Sequence, residues 1–126
     1  MCYAWTEVQG YSKFGTYIGN GNTDGAFVYL GFKPAWIFLK KTSGSADWQV
    51  RDYVSDDHNE DSDEILMFSS NDGYTTSTNN ICDFLSNGFK LRGTGGDHNE
   101  DGGTFVYGAF ARHPFVTSKG VPCPAQ

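Results

Sequence analysis

The sequence predicts an all-β fold, a single antiparallel β-sandwich of jelly-roll-like type with about eight or nine strands. Aromatic residues make up 16% of the 126 residues and glycine accounts for 16 of them, a mixture that is typical of strands and tight turns. Short apolar runs alternate with turn formers, and no stretch shows a convincing helical period. The length suits one domain, which we place at residues 1–115, followed by a C-terminal tail at 116–126.

The predicted strands of the first half are short runs that end at turn formers. They cover residues 3–8, 13–18, 26–32, 35–41 and 47–53. The run at 35–41 is apolar on both faces up to its lysines, which predicts a central strand covered on both sides. In the last of these runs Trp48 and Val50 share one face, with polar side chains on the other. We expect Trp36 and Trp48 to be buried.

The predicted strands of the second half cover residues 65–68, 81–85, 89–92 and 104–112. Asn87-Gly88 between two apolar runs is a strong hairpin signal, because both residues tolerate positive φ. The return strand should direct Phe89 and Leu91 inward. The acidic stretch at 55–64 is predicted to be a solvated loop or a short helical turn.

An Asp-His-Asn-Glu-Asp motif occurs twice, at residues 57–61 and 97–101. In the second copy Asp97, Asn99 and Asp101 present oxygen ligands at alternate positions and are followed by glycine, which matches the first half of a calcium-binding loop. The second half does not match, because the twelfth position is glycine instead of glutamate. A calcium site and two solvated acidic loops therefore remain as alternatives.

The two copies of the motif carry His58 and His98 at the same position. The two side chains could share a metal if the loops met, but zinc needs three or four ligands and no cysteine lies at a fitting spacing. We interpret both residues as surface histidines.

No catalytic residue is predicted, and we expect the protein not to be an enzyme. The carboxylates that could form a pair for sugar hydrolysis are Asp52, Asp56, Asp57, Glu60 and Glu64. They fall in one charged run, and such runs are usually solvated. Carbohydrate binding would need exposed aromatic rings beside polar groups, for which Tyr11, Tyr17 and Tyr74 are candidates because they lie near turns.

Charge and cysteine content narrow the classes of partner. Nine basic and fifteen acidic residues give a net charge of −6, which disfavours binding of nucleic acid. We expect no membrane span and no signal peptide, because no sufficiently long apolar run occurs. Cys2, Cys82 and Cys123 match no metal motif and are interpreted as reduced thiols, with a Cys2–Cys123 disulfide as the alternative.

Several long runs of the sequence resemble a known family. They are residues 2–15, 17–21, 31–37, 83–92 and 107–115. Together they resemble an uncharacterised β-sandwich domain found in structural proteins (fibre, appendage or decoration) of marine tailed bacteriophages and cyanophages. The resemblance covers the chain up to about Phe115. It implies a virion component made in the host cytoplasm, and it supplies no catalytic residues.

Copies in the resembling proteins tend to be modules of long fibre-like chains, whereas this chain starts with its own Met and ends in an unusual tail. We therefore expect a capsid decoration or cement protein on the outer shell, with a receptor- or carbohydrate-binding module of a tail or head fibre as the alternative. The expected partners are the major capsid protein or other virion proteins and further copies of this chain, with a surface glycan in the alternative case. The expected assembly contacts are Met1, Tyr3, Trp5, Phe115, Val121 and Pro122.

Overall fold

The structure, a computed structural model, describes Cys2 and residues 4–54, 64–71 and 73–114. This part of the chain contains nine β-strands and one four-residue helical turn. They are β1 (Ser12–Ile18), β2 (Phe27–Tyr29), β3 (Pro34–Lys41), β4 (Gln49–Asp52), β5 (Glu64–Met67), β6 (Thr75–Thr76), β7 (Cys82–Leu85), β8 (Gly88–Leu91), α1 (Gly96–Asn99) and β9 (Thr104–Ala111).

The strands form two antiparallel sheets. The large sheet has six strands in the order β1-β9-β3-β4-β5-β6, and the small sheet has three in the order β2-β8-β7. β9 lies between β1 and β3, so that Gly108 is directly opposite Phe14 on one side and Phe38 on the other. The predicted all-β antiparallel sandwich is confirmed, as is the central position of the strand predicted at 35–41. The predicted cover on both sides of that strand is not seen among the described residues, since Ile37 and Leu39 join the core and Trp36 and Phe38 line an open cleft.

The core lies between the two sheets and is rich in aromatic rings. Alternate residues of β9 point inward, and Phe105 stacks on Tyr17 with ring centroids 5.0 Å apart. From the small sheet Phe89 packs edge-on against Tyr107 at 5.6 Å. Phe89 and Leu91 are fully buried, as the alternation predicted. Burial of each side chain of this size stabilises the fold by about 1.5–3 kcal/mol. These contacts hold the two sheets together.

The predicted strand at residues 3–8 is wrong for its described part, since residues 4–7 adopt no strand and Val8 makes one isolated bridge to Ser12. A tight turn at Gly10, with φ of 72°, brings these two residues together. The Ser12 hydroxyl accepts from the amide of Val8 and donates to the carbonyl of Thr6. Because the backbone groups are used inside the turn, they are unavailable to a sheet neighbour.

The predicted hairpin is confirmed as β7 and β8 joined by Ser86 and Asn87. The predicted reason for glycine at position 88 is wrong, however, because Gly88 is the first residue of β8 and does not have a positive φ. A Cβ at this position would collide with the carbonyl oxygen of Val28 on β2. Glycine is therefore required by the close approach of two strands.

Candidate functional site: an aromatic sheet face

The outer face of the large sheet, which points away from the small sheet, is covered by aromatic rings. On β3 Trp36 and Phe38 alternate with core residues, and Phe14 of β1 and Phe110 of β9 lie on the same outer side. Segments that flank the strands add further rings. We call the whole set the aromatic face; it consists of Trp5, Tyr11, Phe14, Trp36, Phe38, Trp48, Phe68 and Phe110.

The rings of the aromatic face form one connected network. Phe38 is its hub, with centroids 5.7 Å from Trp5, 5.7 Å from Trp36 and 5.8 Å from Trp48. These distances are in the range of attractive ring contacts, each worth about 0.5–1.5 kcal/mol beyond the burial of area. The rings therefore support one another and form a pre-ordered surface.

Gly108 of β9 allows the ring of Phe14 on β1 to meet the ring of Phe38 on β3. A Cβ at this position would lie 2.8 Å from the ring of Phe14 and closer still to the ring of Phe38. Both neighbouring strands place a phenylalanine opposite this glycine, and the two rings cover it. A glycine in the middle of an interior strand is thus a packing requirement of the aromatic face.

The aromatic face is open to solvent at its periphery, whereas its hub Phe38 is buried. Trp5 is 54% exposed, Trp48 41% and Phe68 60%. Together with Trp36 and Phe38 these side chains line an open cleft of about 830 Å³. All three tryptophans of the chain lie on this face. Exposed aromatic side chains that lie side by side make this face a candidate binding surface.

Polar groups border the aromatic face. The hydroxyl of Tyr74 donates to a carboxylate oxygen of Asp52 at 2.6 Å, and Asp52 lies directly opposite Trp36 in the sheet. The hydroxyl of Ser69 donates to Asp47 at 2.6 Å, next to Phe68 and Trp48 in the chain. An apolar centre with a polar rim is the usual anatomy of a protein–protein interface.

The predicted burial of Trp48 is wrong, and Trp36 is only partly buried. The alternation in β4 is as predicted, but its two faces are reversed, because Gln49 and Arg51 point inward and are 0% and 1% exposed. The guanidinium of Arg51 donates to the backbone carbonyl of Asn80 inside the sandwich. This hydrogen bond offsets part of the cost of burying the charge. Because Arg51 points inward, Trp48 lies on the outer face of the strand.

The interpretation of His98 as a surface residue is also wrong, since its side chain is fully buried. Burial, and to a smaller extent the nearby positive charge of Arg51, lower the pKa of the imidazole to about 3. The carbonyls of Ile81 and Gly95 favour the protonated ring, although neither ring nitrogen makes a hydrogen bond of regular geometry within the described residues. His98 is therefore a neutral interior residue at physiological pH.

The predicted calcium ligands are not brought together as the sequence pattern suggested. Residues 96–99 form the helical turn α1, in which Asp97 and Asn99 do not face the same side. The Asn99 amide nitrogen donates to the carbonyls of Asn22 and Gly93, both at 2.9 Å, and its oxygen accepts from the amide of Asn20.

Asn99 thus holds a neighbouring loop in place. Among the described residues no three His, Cys, Asp or Glu side chains form a metal-binding group. The calcium site at Asp97, Asn99 and Asp101 stays a prediction to which the structure adds no support.

The three tyrosines considered for carbohydrate binding have different surroundings. Tyr17 is buried, its hydroxyl donates to the carbonyl of His98 at 2.7 Å, and burial raises its pKa, so it is not accessible to a ligand. Tyr11 is 46% exposed and packs edge-on against Phe110. Tyr74 is 49% exposed and bonds to Asp52. The two accessible rings therefore belong to the aromatic face or its rim.

Of the expected assembly contacts, Trp5 lies on the aromatic face. The others fall outside the described residues: Met1, Tyr3, Phe115, Val121 and Pro122. The same holds for the first copy of the acidic motif, for Asp56, and for Cys123 with the disulfide it could form. Apart from Trp5 and Tyr11, the residues of the aromatic face were not predicted as site residues, although a glycine inside a strand of aromatic residues was a signal of close ring packing.

These features define a two-sheet antiparallel β-sandwich whose large sheet carries an exposed aromatic face. The chain belongs to the family described as "Domain of unknown function (DUF7483)", whose model matches residues 1–114. No curated protein and no solved structure matches the chain. In the described part of the chain no helix is long and apolar enough to cross a membrane.

Proposed function

We propose that this protein is a structural component of a bacteriophage virion, a decoration or cement protein that docks on the outer capsid shell through its aromatic face. The observation that carries the docking step is the exposed, pre-ordered network around Phe38, with Trp5 and Trp48 at its surface. The virion setting rests on the resemblance of the sequence to structural proteins of tailed phages.

The physical basis of docking is the burial of large rings that are already ordered. Tryptophan is enriched among the residues that dominate binding energy, and truncation of one such residue costs about 2 kcal/mol or more. Because the rings contact one another before binding, little side-chain entropy is lost when a partner covers them. A protein that binds only assembled shells stabilises them by mass action, and repetition over a symmetric shell multiplies the effect.

The test is reconstitution of capsids that lack the protein, with bound protein measured by co-sedimentation. Trp5→Ser and Trp48→Ser are each expected to weaken the Kd about 30-fold, which corresponds to about 2 kcal/mol. The wild type should also raise the melting temperature of the capsids, and the double variant should not.

Phe27→Ser is the matched control, because Phe27 is 46% exposed but lies on the small sheet. It should bind as the wild type does. Equal binding of the double tryptophan variant and the wild type would show that the aromatic face is not the docking surface, and absence of wild-type binding would overturn the decoration role.

The second candidate function is a receptor- or carbohydrate-binding module of a tail or head fibre. A separate cleft favours it, in which the exposed ring of Tyr29 lies beside the ammonium group of Lys13. In this case the cleft contacts the host surface and the aromatic face contacts the rest of the fibre.

A further inference from the structure

A cleft unrelated to the aromatic face opens where the edge strand β1 of the large sheet faces the edge strand β2 of the small sheet. Its volume is about 460 Å³, and Glu7, Gln9, Lys13, Tyr29 and Gly31 are among its lining residues. We call it the edge cleft. A volume of this size is within the range of small-ligand sites.

One wall of the edge cleft is an exposed aromatic ring. Tyr29 is 59% exposed, and its side chain points away from the core because Val28, its neighbour in β2, points inward. Opposite the ring edge, Gly31 adopts a φ of 83°, and even a Cβ there would be 3.6 Å from the Tyr29 hydroxyl. There is therefore room for a side chain at this position, and it is the positive φ that favours glycine.

The polar groups of the edge cleft are held in place by the fold. The ammonium group of Lys13 donates to the backbone carbonyl of Tyr29 at 3.1 Å and lies over one face of the Tyr29 ring, 5.4 Å from its centroid. One carboxylate oxygen of Glu7 accepts from the amide of Phe14 at 3.0 Å. Both contacts fix a charged side chain and leave further hydrogen-bonding capacity on it, since an ammonium has three donors and a carboxylate several acceptor positions.

The charges of the edge cleft decide which class of ligand fits. One carboxylate and one ammonium border the same space, so the two charges offset each other and the cleft does not favour a free ion of either sign. An uncharged ligand with many hydroxyl groups can donate to the carboxylate and accept from the ammonium at the same time. A sugar ring adds an apolar C–H face that can lie on an exposed aromatic ring.

We infer that the edge cleft binds a neutral saccharide unit, with its ring packed against the part of the Tyr29 ring that the Lys13 ammonium does not cover and its hydroxyls bonded to Glu7 and Lys13. The Gln9 amide supplies one more donor and acceptor at the rim. The site is independent of the docking proposed for the aromatic face, and it gives the second candidate function its ligand class. A small open site of this kind binds a single sugar weakly, and affinity for a surface glycan would come from several copies acting together.

The experiment is a titration of the isotope-labelled full chain, followed by two-dimensional NMR, with the methyl glycosides of glucose, galactose, mannose and N-acetylglucosamine. At least one is expected to give saturable shifts confined to the amides around Glu7–Lys13 and Tyr29–Phe32. Tyr29→Ala should weaken that binding at least tenfold, and Glu7→Gln several-fold. Added salt should change the Kd little, because the ligand carries no charge.

Two variants serve as controls. Tyr29→Phe keeps the ring and should retain most of the affinity, which separates stacking from a loss of folding in Tyr29→Ala. Phe27→Ala removes the other exposed ring of the same strand and should bind as the wild type does. Absence of saturable shifts with all four glycosides, or equal binding by Tyr29→Ala, would overturn the inference and leave the docking proposal standing. Shifts centred on Trp36, Phe38 and Trp48 would also overturn it, because they would place the sugar on the aromatic face.

Discussion

The buried imidazole of His98 predicts that the fold loses stability in mild acid. The pKa of this group is 6.5 ordinarily and about 3 in the folded protein, because the ring is removed from water and lies near the charge of Arg51. Below pH 6.5 the imidazole of His98 is protonated in the unfolded chain, whereas in the folded chain it stays neutral down to about pH 3. Stability is therefore fully present above pH 6.5 and falls as the pH is lowered towards 3.

The magnitude follows from the linkage between proton binding and folding. pH 5 lies 1.5 units below the ordinary histidine pKa of 6.5, and each unit corresponds to about 1.4 kcal/mol. The free energy of unfolding at pH 5 is therefore about 2 kcal/mol lower than at pH 8. A loss of this size is a considerable fraction of the stability of an ordinary domain.

The assay is urea denaturation at pH 8 and pH 5, followed by circular dichroism. His98→Asn removes the titrating group and should reduce the difference between the two pH values by about 2 kcal/mol, whatever its effect at pH 8. His113→Asn is the matched control, because His113 is exposed. The same pH dependence in His98→Asn and the wild type, or an imidazole NMR signal of His98 that titrates near pH 6.5, would contradict a buried imidazole with a lowered pKa.

Two further substitutions test the packing described above. Gly108→Ala should lower the free energy of unfolding by about 1–3 kcal/mol and increase the solvent accessibility of Trp5, because the added methyl group pushes apart the rings of Phe14 and Phe38; an unchanged melting temperature and tryptophan emission would contradict this. Asn99→Ala should cost about 2–4 kcal/mol, since two backbone carbonyls lose a buried donor. Faster hydrogen exchange at Asn20–Asp24 would accompany that loss, and unchanged protection of those amides would refute the role of Asn99.

The fold class could be predicted because the pattern of apolar residues reports directly on strands and turns. The position of Phe89 and Leu91 and the central place of β3 followed from the same pattern. The two-residue period of a strand shows which residues share a face, but not which face meets the second sheet. For β4 the rule that apolar faces point inward failed, since Arg51 has a buried acceptor in the small-sheet half and Trp48 has ring partners outside.

The candidate site was harder to predict, because it depends on contacts between distant parts of the chain. The acidic surroundings of His98 suggested a solvated loop, yet one helical turn places that residue inside the sandwich. Trp5 was expected to be a contact residue, but the network that supports it is built from β1, β3 and β9. The edge cleft is formed by two strands of different sheets, and no local sequence pattern indicates such a pairing.

The most direct test of the proposed docking role is cryo-electron microscopy of intact virions that carry this protein. The account predicts density for the sandwich on the outer shell, with Trp5, Trp48 and Phe68 covered by a capsid protein and the small sheet facing solvent. A sandwich bound through the small sheet, or an aromatic face left open to solvent on the particle, would contradict it.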